Sequence, residues 1–408
     1  MIISPAISGN SGPKVRSDCE VTLELQDSGG IHIELESKVR ALYGESIKEL
    51  VTGIIEFFGI RNIRATIKDS GALPFVIAAR TEASVKKLIK TGLEFLPPVT
   101  NGDNIQSSRD RCRYSRLYLP GNNPSLMINA GLHSAEGLIL DLEDSVAPEK
   151  KDEARILVRN ALRQISFYGA ERMVRINQGE RGSEDLRALI PHGLDLVLLP
   201  KCESSEEVKR ISSLIDELKN KDGITNEVFL MPIIETAAGV ENAYSIATSD
   251  KSVVSIAIGL EDYTADLGVK RTPSGNESLY ARTRLVNAAK AAGIQPIDSV
   301  FSDIDDLELL KETVRVSKSL GFEGMGCIHP RQIPFIRQGY APDEGEIEKS
   351  RKIVVAFEEA RAKGLGVICL GSKMIDAPVV RRAERIIKQA VSMGLLPADW
   401  MNIETKVD

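Results

Sequence analysis

The sequence predicts an α/β chain: a (β/α)8 barrel with a C-terminal helical extension, preceded by a small α+β domain. Three observations carry this. From Arg116 onward, eight short apolar runs rich in β-branched residues alternate with helical patterns. The acidic and basic residues that interrupt this rhythm fall just past the C-terminal ends of the runs. The first 95 or so residues have a different rhythm and are set off by a Pro-Pro and polar stretch.

The runs lie near Arg116–Leu119, Gly137–Leu142, Met173–Ile176, Leu194–Leu199, Val228–Ile234, Val253–Ile258, Ile297–Phe301 and Phe322–Ile328. Helical stretches such as Lys150–Ile165, Glu206–Lys219, Ala281–Ala292 and Leu307–Ser319 fall between them. Strand–helix alternation implies parallel strands, and eight repeats match a closed barrel better than an open doubly wound sheet. The first strand is not followed by GxGxxG, so no dinucleotide fold is indicated.

Before the barrel, residues 1–95 read as one unit. Val21, Leu23 and Leu25 alternate, as do Ile31, Ile33 and Leu35, with Asp27-Ser28-Gly29-Gly30 between them, which predicts a hairpin. Ile47, Leu50, Val51, Ile54 and Ile55 recur at helical spacing. Strands are expected near Ile63–Ile67 and Phe75–Ala79, then a helix from about Glu82. Residues 96–114 read as a linker, 115–340 as the barrel and 341–408 as a helical extension, in which Ile347, Ile353, Val354 and Phe357 suit one packed face.

Composition narrows the function classes. The chain has 408 residues, 42% of them hydrophobic and 27% charged, with a net charge of -6. No basic block suggests a nucleic-acid groove. No apolar run is long enough to span a bilayer, and the N-terminus lacks a signal-peptide pattern. The five cysteines are scattered without CxxC spacing, which fits a reducing cytoplasm. The four histidines form no ligand pair, so any metal is expected to be a hard cation held by carboxylates.

The barrel's polar residues sit where a barrel active site must be. Asp141, Glu143 and Asp144 follow strand two in GLILDLEDSVAP. Arg175 and Asn177 end strand three, Lys201 strand four, Glu235 strand five, Glu261 and Asp262 strand six, and His329 strand eight. Burying unpaired carboxylates costs several kcal/mol, so the cluster points to a cation, a basic partner or proton handling. Capping of the helix after Pro148 stays open as the alternative for the three acids.

RSRLYLPGNNP, ILDLEDSVAPEKKDEAR, VRIN, LLPKCES, PIIETAAGV, IGLEDYTADLG, CIHPRQI and MIDAPVVRRA, over residues 116 to about 395, resemble the citrate lyase beta-chain family, which includes citryl, citramalyl and malyl thioester lyases. The resemblance implies a TIM-barrel, Mg2+-dependent carbon–carbon lyase that assembles as a homotrimer or hexamer. It implies metal ligation by Glu235 and Asp262, and binding of a substrate carboxylate by Arg175. It places Glu143 and Asp144 around the metal's waters and delivers Asp376 to a neighbouring subunit's site as an acid/base group. Arg116, Lys201 and His329 are further candidates for substrate contact. IHIELESKVRALYGESI and DSGALPFVIAAR are similar to the citrate lyase acyl carrier (gamma) chain, which bears a CoA-like phosphopantetheine-type prosthetic group on a serine. Carriers of this kind have that serine two residues before the Asp that opens their strand. Here Arg16 stands at that position before Asp18, leaving Ser17 as the first attachment candidate and Ser11 as the second. If neither is modified, the domain is a docking piece and the barrel acts on free CoA thioesters. The reaction implied is retro-Claisen cleavage of a citryl thioester to oxaloacetate and an acetyl thioester. Citramalyl- or malyl-CoA cleavage and a non-catalytic scaffold are the alternatives, and an acyl-exchange (alpha) subunit is the expected partner.

Overall fold

A computed structural model describes residues 4–100, 106–362, 368–370 and 373–402 of the chain. These form two compact units, one running to Ile333 and the other beginning at Pro334.

The larger unit contains the barrel. Its strands are β5 (Ser115–Pro120), β6 (Gly137–Asp141), β7 (Glu171–Arg175), β8 (Leu196–Leu199), β9 (Phe229–Ile234), β10 (Ser255–Ile258), β11 (Gln295–Ile297) and β12 (Met325–Cys327). They pair in parallel in the order β11-β10-β9-β8-β7-β6-β5-β12. A parallel bridge between Asp298 and Met325 closes the ring. The runs are almost wholly apolar because both faces of each strand are covered. Alternate residues, such as Leu196 and Leu198 on β8 and Phe229, Met231 and Ile233 on β9, fill the barrel interior, and their neighbours pack under the surrounding helices. The last two runs give shorter strands than their length suggests, and residues 298–300 instead form part of the mouth.

Ahead of the barrel, β1 (Ala6–Gly9), β2 (Cys19–Leu25), β3 (Ile31–Ser37) and β4 (Ile63–Asp69) form a mixed sheet of order β1-β2-β4-β3. The helices Arg40–Phe57 and Pro74–Leu88 pack with it. Two expectations are corrected here. β2 and β3 do not form a hairpin, because β4 lies between them, antiparallel to β2 and parallel to β3. The turn at Asp27–Gly30 is local chemistry that either topology accommodates. Phe75–Ala79 is helical rather than a strand. Pro74 opens the helix, where its missing N–H costs nothing. Every residue from Phe75 to Val85 is buried, so the helix lacks the polar stripe that would have revealed its period.

That burial has a cause. The helix Pro74–Leu88 lies between the small sheet and the barrel helix Lys151–Gln164, whose own buried residues include Glu153, Ala154, Leu157, Arg159 and Asn160. The described residues leading into β5 also run along the barrel. Arg163 donates to the Pro97 carbonyl at 2.6 Å, and Arg113 forms a buried fork with Glu171 at 2.7 Å on both arms.

The second unit packs the helices Glu344–Ala362 and Ala377–Ser392 around Ile353, Val354, Val380, Ala383, Ile387 and Trp400, with Ile347 and Phe357 at the edge. Between the helices, β13 (Ile368–Leu370) and β14 (Lys373–Ile375) pair antiparallel. Among the described residues no helix is long and apolar enough to cross a membrane.

Candidate active site

The C-terminal ends of β5, β6, β7, β9 and β10 surround a cavity of about 430 Å³. Arg116, Tyr118, Asp141, Asp144, Arg175, Glu235 and Asp262 all line it. Strand geometry places them: Asp141 and Arg175 end their strands and Asp144, Glu235 and Asp262 follow theirs, while Arg116 and Tyr118 lie within β5.

Arg175, the last residue of β7, organises one side. Its Nε and Nη2 each donate to an oxygen of Asp141 at 2.7 Å. Its Nη1 reaches Glu143 at 3.1 Å and Asp144 at 3.4 Å, and the guanidinium lies 5.5 Å from the centre of the Tyr118 ring. Burial opposes the charge on Asp141, yet the Arg175 fork, with help from Ser145 and the Glu143 N–H, holds its carboxyl below the usual range. Burial likewise opposes the Arg175 charge, and the Asp141 carboxylate outweighs it. Such a two-armed pair fixes direction as well as charge.

Lys201 organises the other side. It is one of four non-glycine residues with positive φ among the described residues, at 49°, a conformation that costs of order 1 kcal/mol and clusters at functional positions. The turn aims its backbone N–H at Glu235 Oε1, 2.6 Å away. Its Nζ lies 2.7 Å from Glu143, 3.4 Å from Asp144 and 3.8 Å from Asp262. Burial disfavours its charge, but these acids hold its pKa well above the ordinary lysine range. Glu143 also accepts from Gln178 at 3.3 Å. Burial and the adjacent Asp144 push the Glu143 carboxyl up, while the two cations restrain it.

Glu235 is 2% exposed, and its carboxyl is pushed up to about 7, first by burial and then by Asp262, against the pull of the Lys201 N–H and the nearby cations. Gly259 makes room for it: a Cβ there would lie 2.3 Å from Glu235 Oε2. Asp262, in the first turn of the helix Leu260–Asp266, is more open, with its side chain 42% exposed. Among the described residues no three acidic, imidazole or thiol groups converge on one point. Two hard carboxylates facing a cavity, one of them buried and short of partners, nevertheless suit Mg2+, which takes one or two protein carboxylates and fills its octahedron from water and substrate.

The remaining candidates separate. Arg116 is buried in the cavity wall, with Nη1 2.9 Å from Met231 Sδ. His329 caps the turn Pro330–Gln332 by accepting the Arg331 N–H at 3.1 Å, and Ile328, not His329, lines the cavity. Asp376 belongs to the second unit and caps the helix Ala377–Ser392 through the Val379 N–H at 3.3 Å. Ser17 and Ser11 lie in the loop between β1 and β2, and Ser11 donates to Glu20 at 3.0 Å. Sequence reasoning passed over Tyr118 and Gly259. Both lie within conspicuous segments, RSRLYLPG and AIGLED, but only the folded geometry gives them a contact. Gly259→Ala is expected to displace the Glu235 carboxylate and lower magnesium affinity at least tenfold without unfolding the barrel, as read by calorimetric titration and a thermal melt.

Comparisons with known proteins place the chain among relatives. The family model for HpcH/HpaI aldolase/citrate lyase matches residues 114–330, and that for malonate decarboxylase delta subunit (MdcD) matches residues 8–88. The chain is 38% identical over 300 residues to the citrate lyase subunit beta of Leuconostoc mesenteroides subsp. cremoris, covering 73% of this chain and 99% of that one. It is 29% identical over 303 residues to the L-malyl-CoA/beta-methylmalyl-CoA lyase of Cereibacter sphaeroides, covering 69% and 94%. It superposes on the crystal structure of CitE from Mycobacterium tuberculosis in complex with magnesium, acetoacetate and coenzyme A with a TM-score of 0.55 at 31% identity, covering 69% and 99%. From its barrel motifs and these matches together, the chain belongs to the HpcH/HpaI aldolase/citrate lyase family and is a lyase that carries an acyl-carrier-like domain at its N-terminal side.

Proposed function

We propose that the barrel mouth cleaves a citryl thioester to oxaloacetate and an acetyl thioester in a magnesium-dependent reaction. The observation that carries this reading is the pairing of a buried, partner-poor Glu235 with Asp262 across the cavity from the Arg175 fork. The likeness to citrate lyase beta chains supports it.

Glu235 and Asp262 would hold the ion, which when bound polarises a hydroxyl and its adjacent carboxylate. The chain's own residues do the rest. Arg175 has arms committed to Asp141 and presents the Nη1 side to the cavity rim, where it orients a substrate carboxylate. Glu143 and Asp144, held by Arg175 and Lys201, anchor ordered water. Lys201 keeps the Glu235 carboxylate in place through its backbone N–H and balances the acids with its ammonium. As the carbon–carbon bond breaks, the hydroxyl gives its proton to the water held by Glu143 and Asp144, and Asp376, supplied by a neighbouring copy in a trimer or hexamer, protonates the carbon that leaves as the acetyl unit. Ser17 carries the acyl chain through a phosphopantetheine-type group, and an acyl-exchange subunit reloads it. The free thiols of the described cysteines suit a cytoplasmic enzyme.

A second reading, cleavage of malyl-CoA, draws support from the Cereibacter sphaeroides relative. The test is an assay of the full chain with Mg2+ against citryl-, citramalyl- and malyl-CoA. Release of oxaloacetate from citryl-CoA alone supports the first reading. Release of glyoxylate from malyl-CoA supports the second, and no cleavage of any of the three refutes both.

Protons and the ion compete for Glu235. Magnesium affinity is expected to rise as pH increases to about 7 and then level off, falling roughly tenfold per pH unit below that. Titrations in buffers of different ionisation enthalpy check this through the protons released. In the ion-free protein the sign reverses. A carboxyl raised from 4.5 to about 7 contributes stability below pH 4.5, and that contribution is lost as pH rises through 7.

A further inference from the structure

We propose that the carrier-like domain is a fixed part of this lyase, clamped to the barrel so that its Asn10–Ser17 loop stands at the mouth of the barrel of its own chain. A thioester tethered there then enters the same chain's site without domain movement. The second half of this inference rests on the lyase reading above; the first half does not.

The clamp is a buried polar core between two helices that have no solvent face between them. Arg80, on the helix Pro74–Leu88, is fully buried. It holds Asp18 with Nε at 2.9 Å and Nη2 at 3.0 Å, reaches Glu153 of the barrel helix at 3.4 Å, and donates to the Asn122 carbonyl at 2.9 Å. Glu153 in turn accepts from Lys87 at 2.8 Å, from Lys150 at 3.0 Å and from the Gly9 N–H at 3.2 Å. Nearly two turns further along the barrel helix, Arg159 makes a fork with Glu82 of the carrier-like domain at 2.6 and 3.1 Å, and Asn160 donates to the Phe75 carbonyl at 3.1 Å.

Buried ion pairs of this kind set orientation more reliably than they add stability. The holding force is apolar. Ile77, Ala78 and Val85 belong to the core of the small domain, while Phe75, Val76, Ala79 and Ala83 are buried as well. Undocking would expose Phe75, Val76, Ala79 and Ala83, which are not part of that small-domain core, together with the barrel helix's Leu157 and Ala154. The interface therefore has the character of a domain core, with the charges fixing its register.

The register puts the loop at the mouth. Gly9 enters the loop at φ 85°, so close to Cys19 that a Cβ would lie 1.9 Å from its carbonyl oxygen, and its own carbonyl accepts from Lys150 at 3.0 Å. At the far end Ser17 has φ 55° and donates to the Ser70 carbonyl at 3.0 Å. Asp18, next to it, shares Arg80 with Asn122. Asn122 lies two residues beyond Pro120, at most about 7 Å of chain, and Pro120 lines the catalytic cavity. Arg80 thus links the attachment loop to the cavity wall through one guanidinium.

Two measurements on the full chain decide the matter, both in a background with Cys112 and Cys369 replaced by serine. Nitroxide labels on Tyr43→Cys and Tyr244→Cys, exposed positions on the small domain and the barrel, in chains diluted with an excess of unlabelled chain so that only intrachain pairs are read, are expected to give one narrow distance distribution by pulsed electron resonance. A broad or bimodal distribution would show a swinging domain and overturn the proposal. For the position of the loop, Ser17→Cys and Ser145→Cys in one chain are joined by a bis-maleimide spacer as long as a phosphopantetheine arm. The expected product is an intrachain crosslink that runs as a monomer on a denaturing gel, with no dimer when the two cysteines are placed on separate chains and mixed. A crosslinked dimer from the mixture, or no crosslink in either case, overturns delivery within the chain. Neither readout needs catalysis, so failure of the citryl-CoA assay would strike the lyase reading and leave the clamp standing.

Discussion

Glu235→Gln is expected to lower magnesium-dependent lyase activity by on the order of 10³-fold or more while the barrel keeps its thermal stability. The substitution keeps the shape of the side chain and its acceptance of the Lys201 N–H, but removes a buried carboxylate that faces the cavity. Electrostatic groups aimed at developing charge typically contribute 10²–10³-fold each, and the variant also removes the ligand we propose for the ion. Because burial makes the charged form of Glu235 costly, the ion-free variant should melt at the same temperature as the parent or above it at pH 8. Magnesium should then no longer raise the melting temperature. A variant that retained a magnesium-dependent rise would remove Glu235 from the ion's ligands.

Arg175→Lys should be nearly as damaging, for a different reason. An ammonium cannot reproduce the fork that holds both oxygens of Asp141 while a third nitrogen reaches Glu143. Asp141 is 2% exposed, so part of its charge would be left uncompensated. Breaking a buried pair costs about 3–5 kcal/mol, and a lysine that recovers some of it leaves a loss of roughly 2–3 kcal/mol. On the kinetic side kcat/KM should fall on the order of 10²-fold, with KM raised because substrate carboxylate orientation is lost. Chemical denaturation and steady-state assays read the two effects separately. The stability loss should shrink below pH 4, where Asp141, held low by Arg175, finally takes a proton.

The two halves of the site differ in how they could be seen in advance. Asp141, Glu143, Asp144, Arg175, Lys201, Glu235 and Asp262 all follow β-branched apolar runs, and a parallel barrel has to bring the ends of such runs to one face. Their convergence was therefore legible from period and position. Their partnerships were not. That Asp141 would spend both oxygens on Arg175, and that Lys201 would turn through a left-handed conformation to hold Glu235, depends on distances between strands that no spacing along the chain encodes. His329 shows the same limit in reverse: its place after the last strand suggested substrate, and the structure uses its ring to cap a turn.

The small domain shows where periodicity runs out. Its β2 and β3 patterns are read correctly, but local turn chemistry at Asp27–Gly30 cannot reveal that a later strand, β4, inserts between them. Phe75–Ala79 has no polar face because the barrel helix Lys151–Gln164 covers the side that water would otherwise occupy. What the sequence determined by itself was the barrel and the ring of charged residues at its strand ends, since both follow from short-range patterns of burial repeated along the chain. What only the tertiary structure decided was the order of the small sheet, the partner of each charge at the mouth, and the clamp of Arg80, Glu82, Glu153 and Arg159. Those depend on contacts between residues as many as 144 positions apart, which become fixed only when the apolar faces have packed and brought each buried charge within reach of its partners.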